Sequence, residues 1–242
     1  MKQNPEIIFE DGDVVVVNKP AFMLTMSEKS ASVKFNLSGW LSERCGNIFL
    51  VHRLDKETSG IMVFAKNEEA HKNLSLQFES HTVEKYYLTL VEGVLSQNEG
   101  IIEKPIAPNE QHPQRMVIAS RGRASLTRFR VVERFRNYTL AEASTKTGRA
   151  HQIRVHFQSI GHPLAVDFVY GRKEVFLLSE VKQNKFQMGK GQEERPLMER
   201  SSLHAAGLSF DHPRTKQRMN FEAALPKDFA AVVKQLRKWG KA

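Results

Sequence analysis

A single cysteine, Cys45, stands in 242 residues, so the chain can form no intramolecular disulfide and cannot build a cysteine-rich zinc site. No apolar run approaches the length of a secretory signal core or a membrane span, and Met1 to Glu10 mixes acidic with basic groups. Those absences predict a soluble, cytoplasmic chain. Neither a P-loop nor a dinucleotide fingerprint is present, which removes the commonest sequence motifs for holding nucleotides. Internal repeats and low-complexity linkers are also missing, and the length suits one domain with a sizeable core.

What the chain has in excess is positive charge. Lys plus Arg number 36 against 27 for Asp plus Glu, a formal net charge of +9, and such a balance favours a polyanionic partner. The excess is concentrated: Arg115, Arg121, Arg123, Arg128, Arg130, Arg134 and Arg136 share a span in which Glu133 is the only acid. Arg115, Arg121 and Arg123 are the candidates for a nucleic-acid surface, the latter two flanking Gly122 in an expected turn. The bland alternative is a solvated strand face.

Hydrophobic periodicity orders the rest. Val14 to Val17 reads as a strand closed by Pro20, and Ile48 to Val51 and Ile61 to Ala65 as two buried strands. Asn67 caps a helix that ends near Ser80. Val83 to Val91 alternates as a strand that puts Lys85 and Tyr87 on one face. Further strands are expected at Arg115 to Ala119, Ala124 to Val132, Tyr138 to Thr145, Leu203 to Phe210 and Arg218 to Ala223, with a last helix from Pro226. Strands in succession with few helices predict an α+β fold with a mixed, mainly antiparallel central sheet flanked by helices and loops, forming a single domain over 1–242. The polar stretch from about 173 to 201 reads as a mobile insertion.

Two constellations carry candidate chemistry. His52-Arg53-Leu54-Asp55-Lys56-Glu57-Thr58-Ser59-Gly60 sets an aspartate and an arginine in a polar loop between two core strands, longer than a hairpin needs. Thr147-Gly148-Arg149-Ala150-His151-Gln152-Ile153-Arg154-Val155-His156 follows a strand and opens a helix expected over about 150–160, closed by Gly161 and Pro163. A cation near a helix start opposes the macrodipole, so local stability does not explain Arg154, which leaves a surface arginine or the partner of a carboxylate elsewhere.

The first string resembles the H-R-L-D-x-x-T-S-G motif of the RluA-type RNA pseudouridine synthases, and Asp11, Val16, Lys19 and Pro20, Lys85-Tyr86-Tyr87, the T-G-R-x-H-Q-I-R-x-H string and Asp167 to Gly171 match the other family motifs in order. Val166 departs from the family's usual glycine before Asp167. The resemblance implies a short form without the S4-like RNA-binding domain that several relatives carry upstream. It implies an isomerase that converts specific uridines of tRNA or rRNA to pseudouridine, with no cofactor and no metal. Asp55 would be the catalytic residue, Tyr87 would pack on the uracil, and Arg154 would pair with the aspartate. Arg53, His52, Thr58, Lys85, Ile153 and Arg149 would line the substrate, and the enzyme is expected to be a monomer with RNA as its partner.

Such a reaction breaks a glycosidic N–C bond and rejoins the base through carbon, so it needs an ionised carboxylate in a protected pocket rather than a redox group. The uridine must leave its stack, and Arg53 beside the aspartate is placed to fill the gap. A metal-dependent hydrolase using His52, His151, His156, His162 and Asp55 fits poorly, because none of them has ligand spacing. A catalytically silent RNA-binding or ribosome-assembly protein would need only the composition.

Overall fold

The computed structural model describes residues 4–26, 36–187, 189 and 193–241. The architecture is α+β, and the chain forms two compact units, one of 1–86 with 204–224 and the other of 87–203 with 225–242.

In the first unit β1 (Glu6–Glu10), β2 (Val14–Lys19), β4 (Ser59–Ala65) and β11 (Leu203–Asp211) lie in that order, with β3 (Phe49–Leu50) beside β4 and β12 (Arg218–Glu222) beside β11. β4 pairs antiparallel with β2 and parallel with β11. All seven of its residues are buried, which is what a central strand covered on both faces demands and why its sequence runs apolar rather than alternating. Helix α2 (Glu68–Glu79) opens as the sequence predicts, with Asn67 Oδ1 accepting from the Ala70 amide at 2.8 Å. It lays Ala70 and Leu74 on Val14, Val16, Ile61 and Val63. Helix α1 (Leu37–Cys45) covers the other face with Leu37 and Leu41. Strand β3 falls within the stretch Ile48 to Val51 expected to be a strand, whereas β1 and this helix give too little periodicity to be read from sequence.

The second unit is a sheet in the order β5 (Glu84–Glu92), β10 (Tyr138–Thr145), β9 (Leu126–Arg134), β6 (Glu99–Glu103), beside a two-stranded ribbon of β7 (Ile106–Pro108) and β8 (Met116–Ile118). Helix α3 (Gln152–Ser159) packs Ile153 and Phe157 on Phe129, Ala141 and Ala143. Helix α5 (Lys227–Trp239) begins after Pro226 and buries Phe229, Val232, Val233 and Leu236.

The stretch 173–201, expected from its charge to be a mobile insertion, makes these contacts where it is described: Phe176 pairs with Met198, helix α4 (Leu178–Lys182) follows, and Phe176, Val181 and Met198 are buried against α5 and β10. Three apolar residues among charged ones suffice to hold such a segment, because each removes its full side-chain area from water. Residues 188 and 190–192 of that stretch lie outside the described residues.

Candidate active site

The loop that carries Asp55 is clamped from below. Lys19 is fully buried at the end of β2 and its ammonium donates to the carbonyls of Pro20 (3.0 Å), Met23 (2.9 Å) and Lys56 (3.3 Å). Thr25 donates to the Leu54 carbonyl at 3.0 Å, and the Thr58 amide donates back to the Asp55 carbonyl at 3.1 Å. The peptide groups on either side of Asp55 are therefore fixed, and Leu54 packs into the apolar layer beneath. Thr58 is buried at 2 % exposure while Arg53 reaches solvent.

Where the loop enters β4, Ser59 meets His204 Nδ1 at 2.9 Å, and His204 Nε2 donates to the Ala223 carbonyl at 3.2 Å. Gly60 has φ +122°, and a Cβ there would stand 2.2 Å from the Ala205 carbonyl oxygen. Only glycine fits such an approach.

His52, expected to line the substrate, is engaged within its own unit. Its ring stacks on Phe78 at 4.6 Å and Nε2 accepts the Val63 amide at 3.1 Å. Burial, helped by the positive charge of Lys85, holds its pKa down at about 3, in keeping with a nitrogen that must stay unprotonated to accept. Its Nε2 holds the strand, so that atom is not presented to a ligand. Lys85 is half-buried with its ammonium 5.5 Å from the Phe78 ring, and burial lowers its pKa.

The other candidates lie in the second unit. Arg154, on the first turn of α3, makes a bidentate pair with Asp167 at 2.6 and 2.7 Å, with side chains 2 % and 0 % exposed. Asp167 also accepts the amides of Val169 and Tyr170. Burial would raise the Asp167 pKa, but Arg154 and those amides outweigh it and hold it low. Arg154 also lies 5.0 Å from the Tyr170 ring, whose hydroxyl meets His151 Nδ1 at 2.8 Å.

His151 sits in the left-handed region at φ 53°, a cost of order 1 kcal/mol for a residue with a Cβ. Gln152 stabilises that turn: its Oε1 accepts from Thr147 Oγ1 and the Arg149 amide, and its Nε2 donates to Leu126 O and Thr127 Oγ1. Tyr87 packs against the cluster to which Ile153 belongs. Arg149 donates to the Ala124 carbonyl.

Of the arginine-rich span, Arg130 pairs with Glu142 and Arg134 donates to the carbonyls of Leu95 and Ser96. Arg115, Arg121 and Arg123 are exposed, and their side chains make no ion pair among the described residues. The Gly122 amide donates to Ala119 O, closing the expected turn.

One group of potential metal ligands stands apart, Asp11, Asp13 and His212, whose ligand atoms lie within 4.8 Å of one another. Arg214 grips Asp13 at 2.6 and 2.7 Å, Asn67 donates to the same carboxylate, and His212 Nε2 meets Asp11 at 2.8 Å. Those contacts make it a clasp between the β1–β2 turn and the residues after β11.

A family model described as RNA pseudouridylate synthase matches residues 13–159, a span running from the start of β2 through the Asp55 loop to the end of α3. The chain belongs to the RNA pseudouridylate synthase family. An uncharacterised RNA pseudouridine synthase of Bacillus subtilis, YlyB, is 37% identical over 97% of this chain and 74% of its own length. The ribosomal large subunit pseudouridine synthase D of Zymomonas mobilis is 36% identical over 96% of this chain and 72% of its own. Among solved structures, human RNA pseudouridylate synthase domain containing 4 superposes with a TM-score of 0.72 at 22% identity, covering 96% of this chain and 92% of its own, which supports the fold. The pseudouridine synthase is thus an isomerase with RNA as its substrate. Among the described residues no helix is long and apolar enough to cross a membrane.

Sequence reasoning passed over Lys19, Thr25, Gln152 and Asp167 as positioning groups. Lys19 carried a usable signal, a lysine directly after a β-branched core run. Thr25 carried none, since Leu54 is distant in sequence, and Gln152 has Thr147 and Arg149 close by but Leu126 and Thr127 far off.

Proposed function

We propose that this pseudouridine synthase isomerises specific uridines of ribosomal or transfer RNA, with Asp55 as its catalytic residue. The observation that carries the reading is the fixation of the loop around Asp55, by Thr25 at the Leu54 carbonyl, the Thr58 amide at the Asp55 carbonyl and Lys19 at the Lys56 carbonyl: a reacting carboxylate must be held in place through bond breaking, base rotation and rejoining. Names of relatives that act on the large ribosomal subunit favour ribosomal RNA.

In this reading Tyr87 packs on the uracil, and Arg154 keeps the aspartate ionised. Arg53 fills the place of the extruded nucleotide, and Thr58, Lys85, Ile153 and Arg149 complete the surroundings of the substrate. His52 contributes by holding β4. The enzyme works as a cytoplasmic monomer, and Arg115, Arg121 and Arg123 meet phosphates outside the site.

Asp55→Asn keeps the shape and removes the charge. It should abolish pseudouridine formation on bacterial RNA in vitro while leaving the melting curve and RNA affinity unchanged. Normal turnover by that variant would refute the assignment, and a folded wild-type enzyme that binds RNA without forming pseudouridine on any fraction would mark a silent RNA-binding protein.

A further inference from the structure

Trp239, in the last turn of α5, has three ammonium groups around one ring. Lys238 Nζ lies 5.0 Å from the ring centroid, Lys182 Nζ 5.3 Å and Lys185 Nζ 5.6 Å. Lys238 is the neighbour of Trp239 on α5, but Lys182 ends α4 and Lys185 ends the short 3-10 turn after it. Segments more than fifty residues apart thus bring like charges to a single indole.

The acids nearby are already engaged. Glu180 holds Lys173 and the Tyr138 hydroxyl, Glu133 holds Arg237, and Asp228 holds Arg200. Lys182, Lys185 and Lys238 have no carboxylate partner among the described residues. Arg136, Lys234 and Lys241 are exposed on or beside the same elements and deepen the positive field.

Each lysine alone has an ordinary explanation. Cations suit helix C-termini, and lysine stems lie readily on indole faces. Convergence is what those explanations leave out: significant cation–π contacts occur about once per 70–80 residues, and here three fall on one ring, where mutual repulsion opposes them. A polyanion laid across the three reverses that cost, and the indole gives it a rigid apolar floor.

We propose that this cap is a second RNA-contact surface, at which the phosphate backbone of a segment outside the target nucleotide docks on Lys182, Lys185 and Lys238. The inference rests on the reading of the chain as an RNA-modifying enzyme. RNA is favoured over other polyanions because it is the one the enzyme must hold, and holding it at two places fixes which uridine is offered.

The test uses the triple variant Lys182→Gln, Lys185→Gln, Lys238→Gln, which keeps most of each stem, in a Trp40→Phe background so that Trp239 is the sole tryptophan. The probe is a mixture of transfer RNA and deproteinised ribosomal RNA. Each phosphate contact contributes roughly 0.7 to 0.9 to the slope of log affinity against log salt, so the triple variant should be shallower by about 2 to 3. Raising salt fourfold should then cost the parent roughly 30 times more affinity than the variant, by the same relation. Pseudouridine yield at saturating RNA should be unchanged, and RNA should quench Trp239 emission in the parent.

An unchanged slope would overturn the proposal. So would Trp239 emission that responds to phosphatidylserine vesicles or to an acidic protein but not to RNA. A parent protein that shows the slope difference and the quenching yet makes no pseudouridine would instead sink the enzymatic reading and leave the surface standing.

Discussion

Removing the Asp167 carboxylate tests whether the Arg154 helix start is held as the geometry indicates. In Asp167→Ala the buried guanidinium loses both bonds of its bidentate pair, 2.6 and 2.7 Å, and the amides of Val169 and Tyr170 lose their acceptor. Breaking a buried pair by deleting one partner costs about 3–5 kcal/mol. Each amide left unsatisfied adds about 1–3 kcal/mol where water cannot reach it. These terms overlap, and about 4–6 kcal/mol is the expected total.

For a chain of this size 1 kcal/mol moves the melting midpoint by about 2–4 °C, so the midpoint should fall by roughly 10–20 °C. Asp167→Asn keeps an acceptor for the two amides and should lose less, about half as much on the same accounting. Circular dichroism melts at pH 7 give the midpoints, and activity at a temperature where both variants stay folded reports whether Arg154 is still in place. A drop of less than about 3 °C for Asp167→Ala would refute the claim that this pair holds α3, since a shift that small corresponds to only about 1 kcal/mol.

His52→Phe keeps the stack on Phe78 but removes the acceptor for Val63. Because the folded pKa lies at about 3, the unfolded chain takes up a proton before the native one does. Wild-type stability should therefore fall as pH drops from about 6.5 toward 3, by up to about 1.4 kcal/mol per pH unit, and chemical denaturation should show that component missing in the variant. Equal slopes would mean that the imidazole is not held neutral. Gly60→Ala must place a Cβ 2.2 Å from the Ala205 carbonyl at φ +122°; loss of more than about 4 kcal/mol or outright insolubility is expected, and a soluble variant melting like wild type would contradict the close approach. Arg121→Gln with Arg123→Gln should flatten the salt dependence of RNA binding by roughly one contact per arginine while sparing turnover at saturation, and an unchanged slope measured by filter binding would make this turn a solvated face.

Features under local chemical control were legible in the residues alone. Asn67 had to cap a helix because a short polar acceptor preceding acids and periodic apolar residues has no better use. The apolar run of β4 had to be buried, Pro226 had to open the last helix, and the motifs in their order declared the family. Arg154 could be seen to need a carboxylate, since nothing local to a helix start rewards a cation.

Tertiary structure alone decided which groups meet. Lys19 reaches the Lys56 carbonyl across thirty-seven residues, and Gly60 is forced by Ala205, brought alongside by the parallel pairing of β4 with β11. Hydropathy made the stretch after Lys173 look loose, while Phe176, Val181 and Met198 find a core there. The motif makes His52 a substrate candidate, while only the fold shows Phe78 and Val63 against its ring. A period or a cap is written in neighbouring residues, but the energy of a buried contact depends on partners that only the folded backbone brings within reach.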